Sequence, residues 1–280
     1  MDGGRFRGRV ALVTGAARGQ GRTHAVSLAR EGAAVVALDL CEQSTRCAVP
    51  TASKEDLDET VRLVRDAGGE ILPVVADVRD FAQLRAAVDE ATQRWRAPDI
   101  VVANAGIYSG FRPFWELDQA DFADVLNINV LGVWNTVRAA VPGMIEQRAG
   151  AIVLVSSILG LRGAKNLVDY AASKHGVLGM MRTMALELAD FDVRVNSVHP
   201  TNVDTDLFNN EPTRRLFVPQ PAGKEITREE FEAVAKEMHP LDAGWVDPQD
   251  VTSAVLWLLD PANRFITGSA IAVDAGLMVK

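Results

Sequence analysis

The sequence has little cysteine, little histidine and no excess of positive charge, and each shortage excludes something. Its 280 residues hold two cysteines, Cys41 and Cys47, too few for a disulfide framework. The four histidines, His24, His175, His199 and His239, show no H-x-H or H-x-x-x-H spacing. Two thiols without nearby histidines do not make a zinc site, so no metal is expected. The formal charge of −8 is opposite to the basic face of a nucleic-acid binder. No basic run is long enough for a membrane-surface patch. No apolar stretch approaches the roughly 18–20 residues that span a bilayer, and the opening MDGGRFRGRV has no apolar secretory segment. The expected location is cytoplasmic.

What is present is 48% hydrophobic residues, distributed in short β-branched runs that alternate with longer helical patterns. Strands are predicted at Val10–Thr14, Ala34–Asp39, Ile71–Ala76, Ile100–Ala103, Ile152–Ser156, Arg194–His199 and Ala270–Asp274. Their near-continuous apolar character suits strands covered on both faces. Helices are predicted at Glu55–Asp66 with Ser53 as N-cap, Asp80–Trp95, Asp121–Met144, Tyr170–Ala189 and Val251–Leu259. The pattern predicts an α/β fold: one domain over 1–280, a doubly wound, parallel, seven-stranded sheet of Rossmann type with helices on both faces. Two segments break the alternation. One is a long connection at about 41–53. The other, at about 206–242, carries Pro212, Pro219 and Pro221 before a charged helix around Thr227–Met238, an excursion expected of a lid.

Directly after the first strand comes VTGAARGQGRTHA, with Gly15, Gly19 and Gly21 spaced G-x-x-x-G-x-G. A strand that hands over to a helix through glycines lets a pyrophosphate approach the helix N-terminus. The loop residues Gly15, Arg18, Gly19, Gln20 and Gly21 are therefore candidate cofactor contacts. Asp39, with Leu40 after it, ends the second strand, where a carboxylate can accept from ribose hydroxyls and repels a 2′-phosphate. Arg18 could attract that phosphate, but Leu40, Cys41 and Glu42 add no second cation, so NAD is expected over NADP. Asp77, followed by Val78 in ADV, is placed either to accept from the adenine amino group or to serve as a turn carboxylate. Asn104, Ala105 and Gly106 end the fourth strand and offer a second close approach of backbone to cofactor.

Tyr170 and Lys174 lie four apart in YAASK, on one face of a helix. Ser157 closes the preceding strand. A free phenol, with a pKa near 10, is too weak an acid to be an efficient base at neutral pH. A cation about 4–5 Å away at an effective dielectric near 20 contributes roughly 3–4 kcal/mol, which predicts a phenol pKa lowered by ~2–3 units.

Taken together, Thr14–Gly21, Asp39, ADV, NAG, NVLG (Asn129–Gly132), Ser157 and YAASK resemble the short-chain dehydrogenase/reductase family across nearly the whole chain. The resemblance implies that Tyr170 is the acid/base and Ser157 the anchor of the substrate oxygen. It gives Lys174 two roles, pKa-lowering cation and ribose ligand, and makes Asn129, rather than Asn127, the holder of a water in a proton relay. It places Pro200, Val203 and Thr205 at the nicotinamide, although Thr201 stands where the family usually has glycine, and it implies a homotetramer. The wording GAARGQGRTHA and the connection Cys41–Ser53 resemble a narrower branch, the mycofactocin-associated, carveol-dehydrogenase-like enzymes. That likeness implies NAD held tightly under the insert and electrons passed to a separate carrier, mycofactocin.

Around the expected pocket the residues are mostly apolar: Ile107, Tyr108, Phe111, Phe114, Trp115, Ile158 and Leu159, with Leu207, Phe208, Leu216 and Phe217 from the lid. They predict a hydrophobic secondary alcohol or its ketone, terpenoid or alicyclic. The competing expectations are a non-catalytic dinucleotide sensor, which has no need of Ser157, Tyr170 and Lys174 together, and dehydration or epimerisation on the same fold.

Overall fold

Seven parallel strands form one sheet in the order β3-β2-β1-β4-β5-β6-β7 in a computed structural model that describes residues 4–44, 46–221 and 224–280. The strands are β1 (Val10–Thr14), β2 (Ala34–Asp39), β3 (Ile71–Val75), β4 (Ile100–Ala103), β5 (Gly150–Val155), β6 (Val193–Pro200) and β7 (Ala270–Val273). The order reverses between β1 and β4, which pair through Ala11–Ile100, Leu12–Val101 and Val13–Val102. Connections leave the sheet in opposite directions there, so a crevice opens at the carboxyl ends of the strands.

The strands are apolar throughout because both faces are covered. Side chains alternate between faces with a period of two. Ala11, Val13, Ile100, Val102 and Val153 pack on one side beneath α1 (Gly19–Arg30), α2 (Lys54–Asp66) and α9 (Pro248–Leu259). Leu12, Val101, Ala103, Ile152 and Leu154 pack on the other beneath α3 (Phe81–Arg94), α5 (Gly132–Gln147) and α6 (Val168–Leu188). The predicted N-cap of α2 forms: Ser53 Oγ accepts from Asp56 N at 3.2 Å, and Asp56 Oδ2 accepts from Ser53 N at 2.8 Å.

Two segments differ from expectation. The helix predicted over Asp121–Met144 is divided into α4 (Gln119–Leu126), one π-helical turn at Asn127–Leu131, and α5. The widened turn accommodates Asn129, whose side chain is bound to Ile107 rather than left to its own helix. The stretch 206–242 holds two helices, α7 (Glu211–Phe217) and the expected α8 (Arg228–Lys236). They share a small apolar cluster in which Phe231, fully buried, meets Phe208, Phe217 and Trp245 at centroid distances of 5.1, 5.3 and 5.5 Å. Thr45 in the 41–53 connection and Ala222 and Gly223 in the 206–242 stretch lie outside the described residues. Among the described residues no helix is long and apolar enough to cross a membrane, and no group of three His, Cys, Asp or Glu side chains could hold a metal ion.

Candidate active site

The glycine loop sits at the mouth of the crevice. Gly15 and Gly19 have φ of +65° and +54°, a region that favours glycine over residues with a Cβ. A Cβ on Gly15 would stand 2.9 Å from the Ala105 Cα, and one on Gly19 would stand 3.2 Å from the Thr205 Cγ2. Gly21 acts differently. Its added Cβ would fall 1.9 Å from the Gly15 carbonyl oxygen, and it does not line the cleft, so it lets α1 start tight against the loop. Gly15, Arg18, Gly19 and Gln20 do line the cleft, opposite Leu38, Asp39 and Leu40.

Asp39 Oδ2 accepts from Ala17 N at 2.9 Å and Oδ1 from Cys41 N at 3.5 Å. These bonds fix the carboxylate at the cleft wall, while burial pushes its pKa up. Arg18 is taken: it pairs with Asp206 at 3.2 Å and donates to the Pro50 carbonyl. Arg18 lines the cleft with Asp39, but its guanidinium is already engaged, and it ties the 41–53 connection to the 206–242 stretch. Ser44, Cys47, Thr51 and Ala52 of that connection line the same cleft. Burial raises the Cys41 thiol to about 11 and also raises Cys47, which leaves neither as a ready nucleophile.

Asp77 is occupied as a turn carboxylate. It holds Arg79 through Nε at 3.0 and 2.8 Å and accepts from Arg79 N at 2.8 Å, although it lines the cleft beside Val78. Asn104 braces the loop, donating from Nδ2 to the Thr14 and Gly15 carbonyls at 3.0 and 3.3 Å. Gly106 leaves room where it is needed, since a Cβ there would stand 3.2 Å from Asn129 Oδ1 and 3.4 Å from Lys174 Nζ.

Tyr170 and Lys174 rise from the first turns of α6 into this space. Lys174 is buried, with Nζ donating to the Val155 carbonyl at 3.0 Å and lying 5.5 Å from the centroid of the Tyr170 ring. Burial pulls its pKa down to about 8. Tyr170 moves opposite to the sequence expectation: burial pushes it up to about 12, opposed by a hydrogen bond with Ser157. The reason is geometric. The ammonium faces the ring and a carbonyl, and desolvation of the phenolate outweighs what that cation returns. Asn129 is fully buried and committed: Oδ1 accepts from Ile107 N at 2.9 Å, while Nδ2 donates to Ile107 O at 2.9 Å and Ser173 Oγ at 3.0 Å.

A family model described as short chain dehydrogenase matches residues 9–215. The chain belongs to the short-chain dehydrogenase family. It is 45% identical over 279 residues to (-)-trans-carveol dehydrogenase of Rhodococcus erythropolis, covering 99% of both chains. It is 34% identical over 268 residues to trans-4-hydroxycyclohexanecarboxylate dehydrogenase of Sinomonas cyclohexanicum, covering 96% of this chain and 92% of that one. Among solved structures, carveol dehydrogenase from Mycobacterium avium in complex with NAD superposes with a TM-score of 0.95 at 42% identity, covering 99% of this chain and 100% of that one.

In this short-chain dehydrogenase a second cavity adjoins the cleft. Ser157, Pro200 and Val203 line it, Lys174 lines only the cleft, and Tyr170 and Thr205 line both. Of the apolar residues expected here, Tyr108, Phe111, Ile158, Leu159, Leu207, Phe208, Leu216 and Phe217 contribute to the cavity wall. Phe114 and Trp115 do not; they meet edge to face on the surface, 68% and 72% exposed. Ile107 lines the cleft instead.

Two histidines that showed no motif turn out to brace this wall. His199 donates from Nδ1 to the Ser157 carbonyl at 2.9 Å and accepts from Ser197 Oγ at 2.8 Å; burial lowers its pKa, so it stays neutral. Thr201, in place of the family's usual glycine, donates to His239 Nε2 at 2.8 Å, while His239 Nδ1 donates to the Ala243 carbonyl at 2.7 Å. No spacing rule could have revealed either pair.

Proposed function

We propose that this chain transfers a hydride between NAD and a hydrophobic secondary alcohol or its ketone, of a terpenoid or alicyclic, carveol-like class. One observation carries the proposal: Tyr170 stands where a glycine-walled cleft meets an apolar cavity, with Lys174 on the cleft side and Ser157 on the cavity side. The NAD-bound relative from Mycobacterium avium and the carveol dehydrogenase of Rhodococcus erythropolis support both halves. The relatives named above are dehydrogenases, which lends no support to a redox sensor or to dehydration or epimerisation.

The residues present fit the dinucleotide. Gly15, Gly19 and Gly106 leave the space that Cβ atoms would fill. Asp39 would accept from the adenosine ribose, Leu40, Asp77 and Val78 would flank the adenine, and Asn104, Ala105, Pro200, Val203 and Thr205 would border the nicotinamide half. Bound NAD supplies the hydride acceptor and a positive charge near the phenol.

Tyr170 Oη exchanges the proton of the alcohol, and the Ser157 hydroxyl holds the same oxygen in line. Lys174 would keep its ammonium beside the Tyr170 ring, 5.5 Å from its centroid, and within reach of ribose hydroxyls, where its charge favours the phenolate that forms only as the proton moves. Its pKa near 8 leaves it largely charged at neutral pH. The Asn129 amide is fully engaged, so a relay to solvent would use its main chain rather than its side chain. The 41–53 insert, locked by Arg18 to Pro50 and Asp206, would retain the nucleotide, and 206–242 would act as the lid of a single domain over 1–280. Slow exchange fits electron transfer to a separate carrier such as mycofactocin. Trp134 on α5, and Phe265 and Val279 near the edge strand β7, are 41%, 84% and 87% exposed; such faces suit burial in a homotetramer, here placed in the cytoplasm.

The test is NADH formation from a panel of alcohols. Monoterpene and cyclohexyl alcohols should outperform small charged hydroxy acids; the reverse order would overturn the substrate class.

A further inference from the structure

Five residues belong to both the cleft and the cavity: Gln20, Ser156, Tyr170, Thr205 and Leu207. Hydride transfer needs the acceptor ring and the alcohol carbon in contact, with reacting atoms about 3–3.5 Å apart. The nicotinamide ring must therefore reach this junction. Gln20 Oε1 is buried there without a hydrogen-bond partner among the described residues. No other residue with an orphaned, buried side-chain atom lines either cavity.

A buried amide oxygen left unpaired is costly, and in a native site it calls for an explanation. An acceptor cannot serve the pyrophosphate, whose oxygens are acceptors themselves, nor a ketone oxygen. The alcohol hydroxyl gives its proton to Tyr170, and the ribose hydroxyls face Lys174 and Asp39. The donor that remains at the junction is the exocyclic amide of the nicotinamide. We propose that Gln20 accepts a hydrogen bond from that amide and so fixes the rotation of the ring over the cavity. Gln20 is then a contact that selects for the carboxamide, supplied from the first turn of α1.

The inference rests on the NAD assignment, and one experiment separates the two. The probes are NAD and its 3-acetylpyridine analogue, in which a methyl group replaces the amide nitrogen. kcat/KM for each is measured on nucleotide-free protein, as wild type, Gln20→Leu and Gln20→Glu, with thermal melts to verify folding. Gln20→Leu should lower the preference for NAD over the analogue by about fivefold, the effect of one neutral hydrogen bond. Gln20→Glu keeps the acceptor, so it should weaken both nucleotides together and leave their ratio within about twofold of wild type. An unchanged ratio in Gln20→Leu, or an equal loss of ratio in both variants, overturns the role of Gln20. A wild-type protein that uses neither nucleotide overturns the NAD assignment itself.

Discussion

Replacing Lys174 with methionine should make the protein more stable at neutral pH while removing its activity. Lys174 is 3% exposed, and burial lowers its pKa from 10.5 to about 8. A base whose folded pKa lies below its unfolded one holds its proton less well when folded. Folding is therefore penalised wherever the unfolded chain is protonated. The gap of about 2.5 pH units, at ~1.4 kcal/mol each, sets that penalty at about 3.5 kcal/mol. It is full below pH 8 and fades as pH rises from 8 to 10.5. Lys174→Met removes the penalty but forfeits the hydrogen bond to Val155 at 3.0 Å, which is worth ~1 kcal/mol. The expected net gain is about 2.5 kcal/mol at pH 7, or roughly 4 °C in Tm at ~2.1 cal/mol/K of unfolding entropy per residue. Urea unfolding of nucleotide-free wild type and variant at pH 7 and pH 10 measures it. The variant should lead at pH 7, and the wild type should close the gap by pH 10. A variant less stable than wild type at pH 7, with the same difference at pH 10, would show that the buried ammonium carries no such penalty.

Other consequences follow from the same site. Asp39→Ser removes the cleft-wall carboxylate proposed to accept from the adenosine ribose, so kcat/KM for NAD should fall about tenfold while NADP becomes usable; the ratio of the two in steady-state assays checks it. Arg18→Ala and Asp206→Ala each cut the tie between the 41–53 and 206–242 stretches, and if these retain the nucleotide as proposed, both should speed its release, followed as its loss on gel filtration. Phe231→Ala empties the centre of the apolar cluster shared by α7 and α8. It should raise KM for the alcohol with NAD binding unchanged, and limited proteolysis should cut within 206–242 before the sheet.

The sheet was legible because strands buried on both faces are written as unbroken apolar runs; β1, β2 and β4 have the predicted ends, and the others differ by one or two residues. The π turn at Asn127–Leu131 was hidden because one extra residue shifts the helical phase by a single position, which a pattern read over the long run Asp121–Met144 does not resolve. Tyr170, Lys174 and Ser157 could be singled out from the sequence, and the fold brings the three to the junction of cleft and cavity, where the proposed chemistry needs them. What surrounds them could not. Arg18 meets Asp206 across 188 positions of sequence, Thr201 meets His239 across 38, and such ties appear only once the chain is folded. The direction of the Tyr170 pKa was misjudged for a related reason: sequence spacing supplies the cation, but the depth of burial that outweighs it is a property of the packed cavity.

The most direct measurement is the rate of NADH formation from a cyclic secondary alcohol by wild type and Tyr170→Phe. Wild type should turn over, while the variant should bind the nucleotide normally and lose about 10²–10⁴-fold in rate, the range for a missing acid/base. A Tyr170→Phe protein that oxidises the alcohol at the wild-type rate would contradict the account.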